Sequence, residues 1–213
     1  MLCRTTTCKR GSFESLLTAA IARARQLGLI DRRPEAAVDA TGFEARHASR
    51  YYVFRSEKGA AQRRSWPKLT AVCHTRSHLI VGAVVTRGPS QDSPQFFPAM
   101  YQAGCQLKWD RLLADAGYDS EQNHAFCRVV LGMRSTVIAL NPRTSGRRWP
   151  LTRYRRQMKR ADYRRGYGQR WQIESAFSRH KRLLGSALRN RHDVSQERET
   201  LLRVLTHNLM ILR

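Results

Sequence analysis

Three carboxylates stand where chemistry could be done. Asp39 interrupts the apolar run AAVDATG, Asp115 follows the apolar RLLA, and Glu174 lies in YGQRWQIESAFSRHK, a stretch otherwise dominated by positive charge. A lone carboxylate in an apolar strand-like run is costly unless it is paired or holds a cation. Converging from two strands and a helix, the three would form an all-oxygen ligand set suited to Mg2+ or Mn2+. That site would stand beside a phosphate-binding surface. Taken alone, Glu174 could equally be an intrahelical partner of Arg170 or Ser178.

The spacing around Glu174 sharpens the picture. At about 100° per residue, positions 167, 170, 174 and 181 fall at roughly 0°, 300°, 340° and 320° on a helix. Tyr167, Arg170, Glu174 and Lys181 would then share one stripe, while Ile173, Ala176, Phe177, His180 and Leu184 form an adjacent apolar arc facing the core. Trp171 reads as a stacking neighbour or as a core residue. Asp119, four residues after Asp115, is its rival; it reads better as a cap of the following helix, together with Ser120. Asp92 also reads as structural, and Asp110 and Asp162 as surface acids.

The elements that must position these groups follow from the pattern of the chain. Residues 12–30 read as an amphipathic helix and the run around Asp39 as a strand. Residues 68–88 read as a hairpin turning at Thr75–His78, closed by Gly88-Pro89. Ser93 and Pro94 open a helix. RLLAD is a short buried strand, EQNHAFCRVVLGM a helix and STVIALNP a strand; residues 143–165 read as a loop or linker. Two helices finish the chain, one carrying Glu174 and one over 195–212. This order predicts an α/β mixed sheet with flanking helices.

Composition bounds the partner. The 213 residues carry 39 Lys+Arg against 16 Asp+Glu, a net charge of +23. Between Arg143 and Arg191 stand 16 basic residues and only two acids, Asp162 and Glu174. Such an excess favours a polyanion, and arginine's planar fork suits phosphate. No apolar run approaches the ~18 residues of a membrane span. The N-terminus lacks the apolar core of a signal peptide. The five scattered cysteines form no CxxC pair, which excludes a paired-thiolate zinc site and fits reduced thiols in a cytosolic protein.

The spacing Tyr-x2-Arg-x3-Glu-x6-Lys is filled without gaps by Tyr167, Arg170, Glu174 and Lys181. With VDATGF and LLADAGYDS ahead of it, this resembles the catalytic domain of DDE-type insertion-sequence transposases of the insertion-sequence-four superfamily. The resemblance runs from about Glu35 to Arg213. It implies a ribonuclease-H-like fold over residues 35–213, preceded by a helical remnant over 1–34. It also implies that Asp39, Asp115 and Glu174 hold two divalent ions, Mg2+ or Mn2+, for DNA nicking and strand transfer. Tyr167, Arg170 and Lys181 would hold the phosphates and bases of the transposon end. The partners implied are double-stranded DNA, as transposon end and target, with a homo-oligomer on the DNA as one arrangement, in the bacterial cytosol.

Two departures shape these expectations. Family members usually carry a DNA-end-binding region ahead of the first Asp, whereas 38 residues with one evident helix precede Asp39. The expectation is a truncated copy, a split reading frame, or a fragment whose partner supplies end recognition. The alternative function is a truncated or domesticated remnant that binds DNA without catalysis. The 59 residues from Asp115 to Glu174 (174 − 115) also leave no room for the large β-rich insertion that some relatives carry there.

Overall fold

The computed structural model describes residues 11–45, 65–141, 150–160 and 165–213. Its centre is the apolar run around Asp39, which forms strand β1 (Glu35–Gly42). The short β2 (Glu44–Ala45) follows. The hairpin expected from the paired apolar runs is present as β3 (Trp66–His74) and β4 (Ile80–Gly88), and β5 (Arg111–Ala114) and β6 (Ser135–Ile138) complete the main sheet. The strand order is β4-β3-β1-β5-β6. β3 runs antiparallel to both β1 and β4, whereas β1, β5 and β6 are mutually parallel. This is a mixed five-stranded α/β sheet with flanking helices, consistent with the ribonuclease-H-like fold.

Alternation along the strands divides the core between two faces. Ala36, Val38, Val81, Leu112 and Ala114 face one side, where they meet α1 (Gly11–Gln26) through Leu17 and Ile21 and α2 (Phe96–Gln106) through Phe96 and Met100. Ala37, Leu69, Ala71, Leu113 and Val137 face the other, where they meet Ile173 and Phe177 of α5 (Trp171–Leu184). Between β5 and β6 lie α3 (Glu121–Ala125) and a π-helical turn, Phe126–Val130, in place of the single helix expected. Helix α4 (Arg153–Gln157) follows β6, and a two-residue β7 (Ala187–Leu188) pairs with β2 ahead of α6 (Asp193–Ile211).

The strand β4 ends the sheet, and an open edge is a template for unwanted pairing. Asn208 of α6 covers part of it. Its side-chain Oδ1 accepts from Ile80 N at 2.9 Å, and its Nδ2 donates to Ile80 O at 2.7 Å. A side-chain amide thus takes the place of a strand neighbour, and Asn208 is fully buried in doing so.

Three sequence expectations need correction. Ser93 is not a cap: residues 93–95 form a 3-10 turn preceded by Asp92, with no side-chain cap bond, and the α-helix proper starts at Phe96. The stretch 143–165 is not simply a loop, because its described part contains α4. Ser120 alone caps α3, accepting from Gln122 N, whereas Asp119 is buried in an ion pair with Arg155. Asp162, Cys3 and Cys8 lie outside the described residues. Among the described residues, no helix is long and apolar enough to cross a membrane.

Candidate active site

Parallel pairing brings Asp39 and Asp115 side by side. Val38 is the ladder partner of Ala114, so each aspartate follows the last paired residue by one position. Neighbouring strands lie ~4.8 Å apart. Asp39 shares the side of Ala37, and the extended backbone of Asp115 (φ −75°, ψ 165°) keeps it in phase with Leu113. Both acids therefore leave the sheet on the face that α5 covers. Asp39 Oδ1 accepts from Ala40 N at 2.8 Å, and Asp115 Oδ1 accepts from Ala116 N at 2.6 Å. Each bond fixes a carboxylate and leaves its second oxygen for other work.

Helix α5 supplies the third acid. Ile173 and Phe177 bury its apolar arc against the sheet, and Glu174 sits beside them in the first turn, where the positive end of the helix dipole favours a carboxylate. Tyr167 and Arg170 precede the helix in a 3-10 turn, Tyr167–Arg170, entered through Gly166 at φ 78°. The positive φ favours glycine there, and an added Cβ would also come within 2.9 Å of the Arg111 guanidinium, which would have to shift. Arg111 bonds Arg165 O and pairs with Glu35 at 3.4 Å, so strand β5 itself anchors the turn.

Arg170 is the hub. Its Nη2 donates to Glu174 Oε1 at 2.6 Å, and its Nη1 lies 3.7 Å from Asp39 Oδ2. The intrahelical partnership expected for Glu174 as a plain surface acid is thus real, but it extends across to the sheet. Burial pushes the Asp39 carboxyl above its ordinary value; Ala40 N–H and Arg170 oppose this, and the charges of Asp115 and Glu174 add to it. Burial works to lower the Arg170 pKa, yet Tyr167, Glu174 and Asp115 together hold it above the usual value. Burial likewise raises the Tyr167 phenol, against the pull of Arg170. The three acids and Arg170 thus share one electrostatic field.

Lys181 does not join this cluster. It lies two turns further along α5, its ammonium 5.6 Å from the Phe43 ring centroid, and burial lowers its pKa against the charge of Glu44. Trp171 is 53% exposed, which removes it from the core and leaves its ring open to solvent. His180 is the buried core histidine that the apolar arc predicts. Sequence reading missed Arg111, Glu35 and Gly166 as the supports of Tyr167; the Gly-Tyr pair at the start of the motif was the available signal.

All three candidate ligand groups offer oxygen, the donor type that a hard divalent ion takes. Among the described residues no three His, Cys, Asp or Glu side chains are gathered closely enough to hold a metal as they stand. The positive charge between Asp39 and Glu174 is supplied instead by the Arg170 guanidinium. In chemical terms the arrangement is an anionic cluster where the parallel pairing of β1 and β5 ends, the side of the sheet on which α/β folds commonly place their sites, set in a strongly basic chain.

No curated protein and no solved structure matches the chain. The sequence model for the transposase DDE domain does match, over residues 31–209, a span that holds the whole sheet and all three acids. On that match the chain belongs to the transposase DDE domain family.

Proposed function

We propose that this chain is the catalytic domain of an insertion-sequence transposase of the insertion-sequence-four superfamily, nicking DNA and joining strands with Asp39, Asp115 and Glu174 as its divalent-metal ligands. The observation that carries the reading is the register: the two aspartates directly follow the last paired residues, Val38 and Ala114, of two adjacent parallel strands, on the face that the Glu174 helix covers. Family membership gives transposition as the general function.

Each residue then has a task. Asp39, held by the Ala40 amide, and Asp115, held by the Ala116 amide, present fixed carboxylates from the sheet. Glu174 closes the set from α5. A pair of Mg2+ or Mn2+ ions, when bound, supplies Lewis-acid stabilisation to the attacking and leaving oxygens. Arg170 balances Asp39 and Glu174 until such charge arrives; released, its planar fork is suited to a DNA phosphate. Tyr167 packs beside it, and Lys181 extends the positive surface along α5.

One observation favours a second reading, a remnant that binds DNA without cutting it. Arg170 already neutralises two of the three acids, and such an ion pair could persist as a purely structural one. Glu174→Gln separates the two. Under the catalytic reading it abolishes metal-dependent cleavage and leaves DNA affinity equal or slightly tighter. Cleavage at the wild-type rate would remove Glu174 from the site.

A further inference from the structure

Four residues past Asp115, a second pair of acids does something different. Asp119, its side chain fully buried, takes a two-pronged bond from Arg155: Nε to Oδ1 and Nη2 to Oδ2, both at 2.8 Å. Its Oδ2 also accepts from Asn141 N at 2.8 Å, just past the end of β6. Glu121 accepts from the backbone N–H groups of Tyr154 and Arg155 at 2.9 and 3.1 Å. Two carboxylates thus fasten both the exit from β6 and the start of α4 to the carboxyl end of the sheet.

The fastened helix is strongly cationic. Arg153, Arg156 and Arg160 are exposed, and with Leu151 and Gln157 they line a groove of about 390 Å³. Among the described residues, none of the three arginines takes part in an ion pair, and Arg153 stacks on the Tyr154 ring at 5.3 Å. Arg153 and Arg156 project from α4, and Arg160 reaches the same groove from the bend that follows the helix. The far end of α4 adjoins the acids' side of the molecule: Met158 and Tyr167 wall one recess with Ile138 and Leu140.

We infer that α4 and its following turn form a second DNA-contact surface, separate from Tyr167, Arg170 and Lys181, on which Arg153, Arg156 and Arg160 neutralise backbone phosphates of a duplex. A cluster of exposed, mutually repelling guanidinium groups around one groove, anchored from beneath by a buried ion pair, is suited to a polyanion. The contact is sequence-independent, because it reads phosphates and no base edges. It rests on the functional reading above for its DNA partner.

The test is the salt dependence of binding to a fluorescent DNA duplex in EDTA, for wild type, Arg170→Gln, and Arg153→Gln/Arg156→Gln/Arg160→Gln combined. All three platform arginines are exposed, so the triple variant folds as wild type does. Loss of three phosphate contacts lowers the slope of log affinity against log salt by about 2.7, at ~0.9 per phosphate. An unchanged slope in the triple variant, with a slope lowered by about one in Arg170→Gln, overturns the platform and leaves the functional reading standing. Loss of polyglutamate binding with an unchanged DNA slope also overturns it, in favour of an acidic protein partner. Wild type without salt-dependent DNA binding overturns the functional reading itself.

Discussion

Asp115 and Asp119 are chemically identical and four residues apart, yet their surroundings demand opposite responses to the same substitution. In Asp119→Asn a carboxylate fully out of solvent is replaced by an amide that must serve three N–H donors, two from Arg155 and one from Asn141. One oxygen cannot accept all three, and the new NH2 group meets a donor. The Arg155 guanidinium, with 17% of its side chain exposed, loses its main counter-charge. Breaking one partner of a buried pair costs about 3–5 kcal/mol. Residual exposure of Arg155 and the nearby charge of Glu121 place this case at the lower end, about 3 kcal/mol. For a chain of this size that is a fall in Tm of roughly 6–12 °C. In Asp115→Asn the side chain is exposed, and its one bond, from Ala116 N, is as well accepted by an amide oxygen. Stability should stay within about 0.5 kcal/mol, while DNA nicking is lost. Urea unfolding at neutral pH and plasmid nicking on the two variants decide the matter. A stable Asp119→Asn beside a destabilised Asp115→Asn would refute the assignment of the latch to one residue and the site to the other.

Three further outcomes follow from particular contacts. Arg170→Gln removes the guanidinium from between Asp39 and Glu174, so Mn2+ should bind more tightly in the absence of DNA, read by electron paramagnetic resonance; unchanged affinity would argue against these acids as ligands. Glu199 is raised by burial but lowered further by Asn190 N–H, Arg189 N–H, the Asn190 side chain and Arg203, so its folded pKa lies below the ordinary 4.5. The stability it contributes is present above pH 4.5 and lost as pH falls through the folded value. Glu199→Gln should therefore lower Tm at pH 7 and lose that deficit on acidification, whereas a pH-independent deficit would contradict the sign. Asn208→Ala leaves Ile80 N–H and C=O without partners at the sheet edge, a cost of about 2–6 kcal/mol at 1–3 per buried group. Faster hydrogen exchange at Ile80 is the expected signature, and wild-type protection there would show that Asn208 does not cover the edge.

Much of the sheet is legible in the sequence because local signals agree with the tertiary fold. Val, Ile and Ala runs broken by Thr75–His78 give the hairpin, and the apolar flanks of Asp39 and Asp115 mark strands whose ends carry polar groups. The helix α4 is not legible. It has no apolar periodicity, and the groups that stabilise it, Asp119 and Glu121, lie 33 to 36 residues away in sequence. Asp119 looks like a cap for the same reason: a short acid before a helix satisfies the local rule, and only the fold shows Arg155 above it. The helical-wheel stripe places Tyr167, Arg170, Glu174 and Lys181 together. A wheel, however, assumes one straight α-helix. Here the first two residues belong to a 3-10 turn that folds them back toward Asp39, while Lys181 travels two turns away toward Phe43.

The central claim is that Asp39, Asp115 and Glu174 form one metal-dependent centre that cuts DNA. Its most direct test is nicking of supercoiled plasmid in Mg2+, Mn2+ and EDTA, with wild type beside Asp39→Asn, Asp115→Asn and Glu174→Gln. The account predicts nicking by wild type in either metal, none in EDTA, and none by any of the three variants under conditions where each still binds DNA. Metal-dependent nicking that survives in even one of the variants would contradict it.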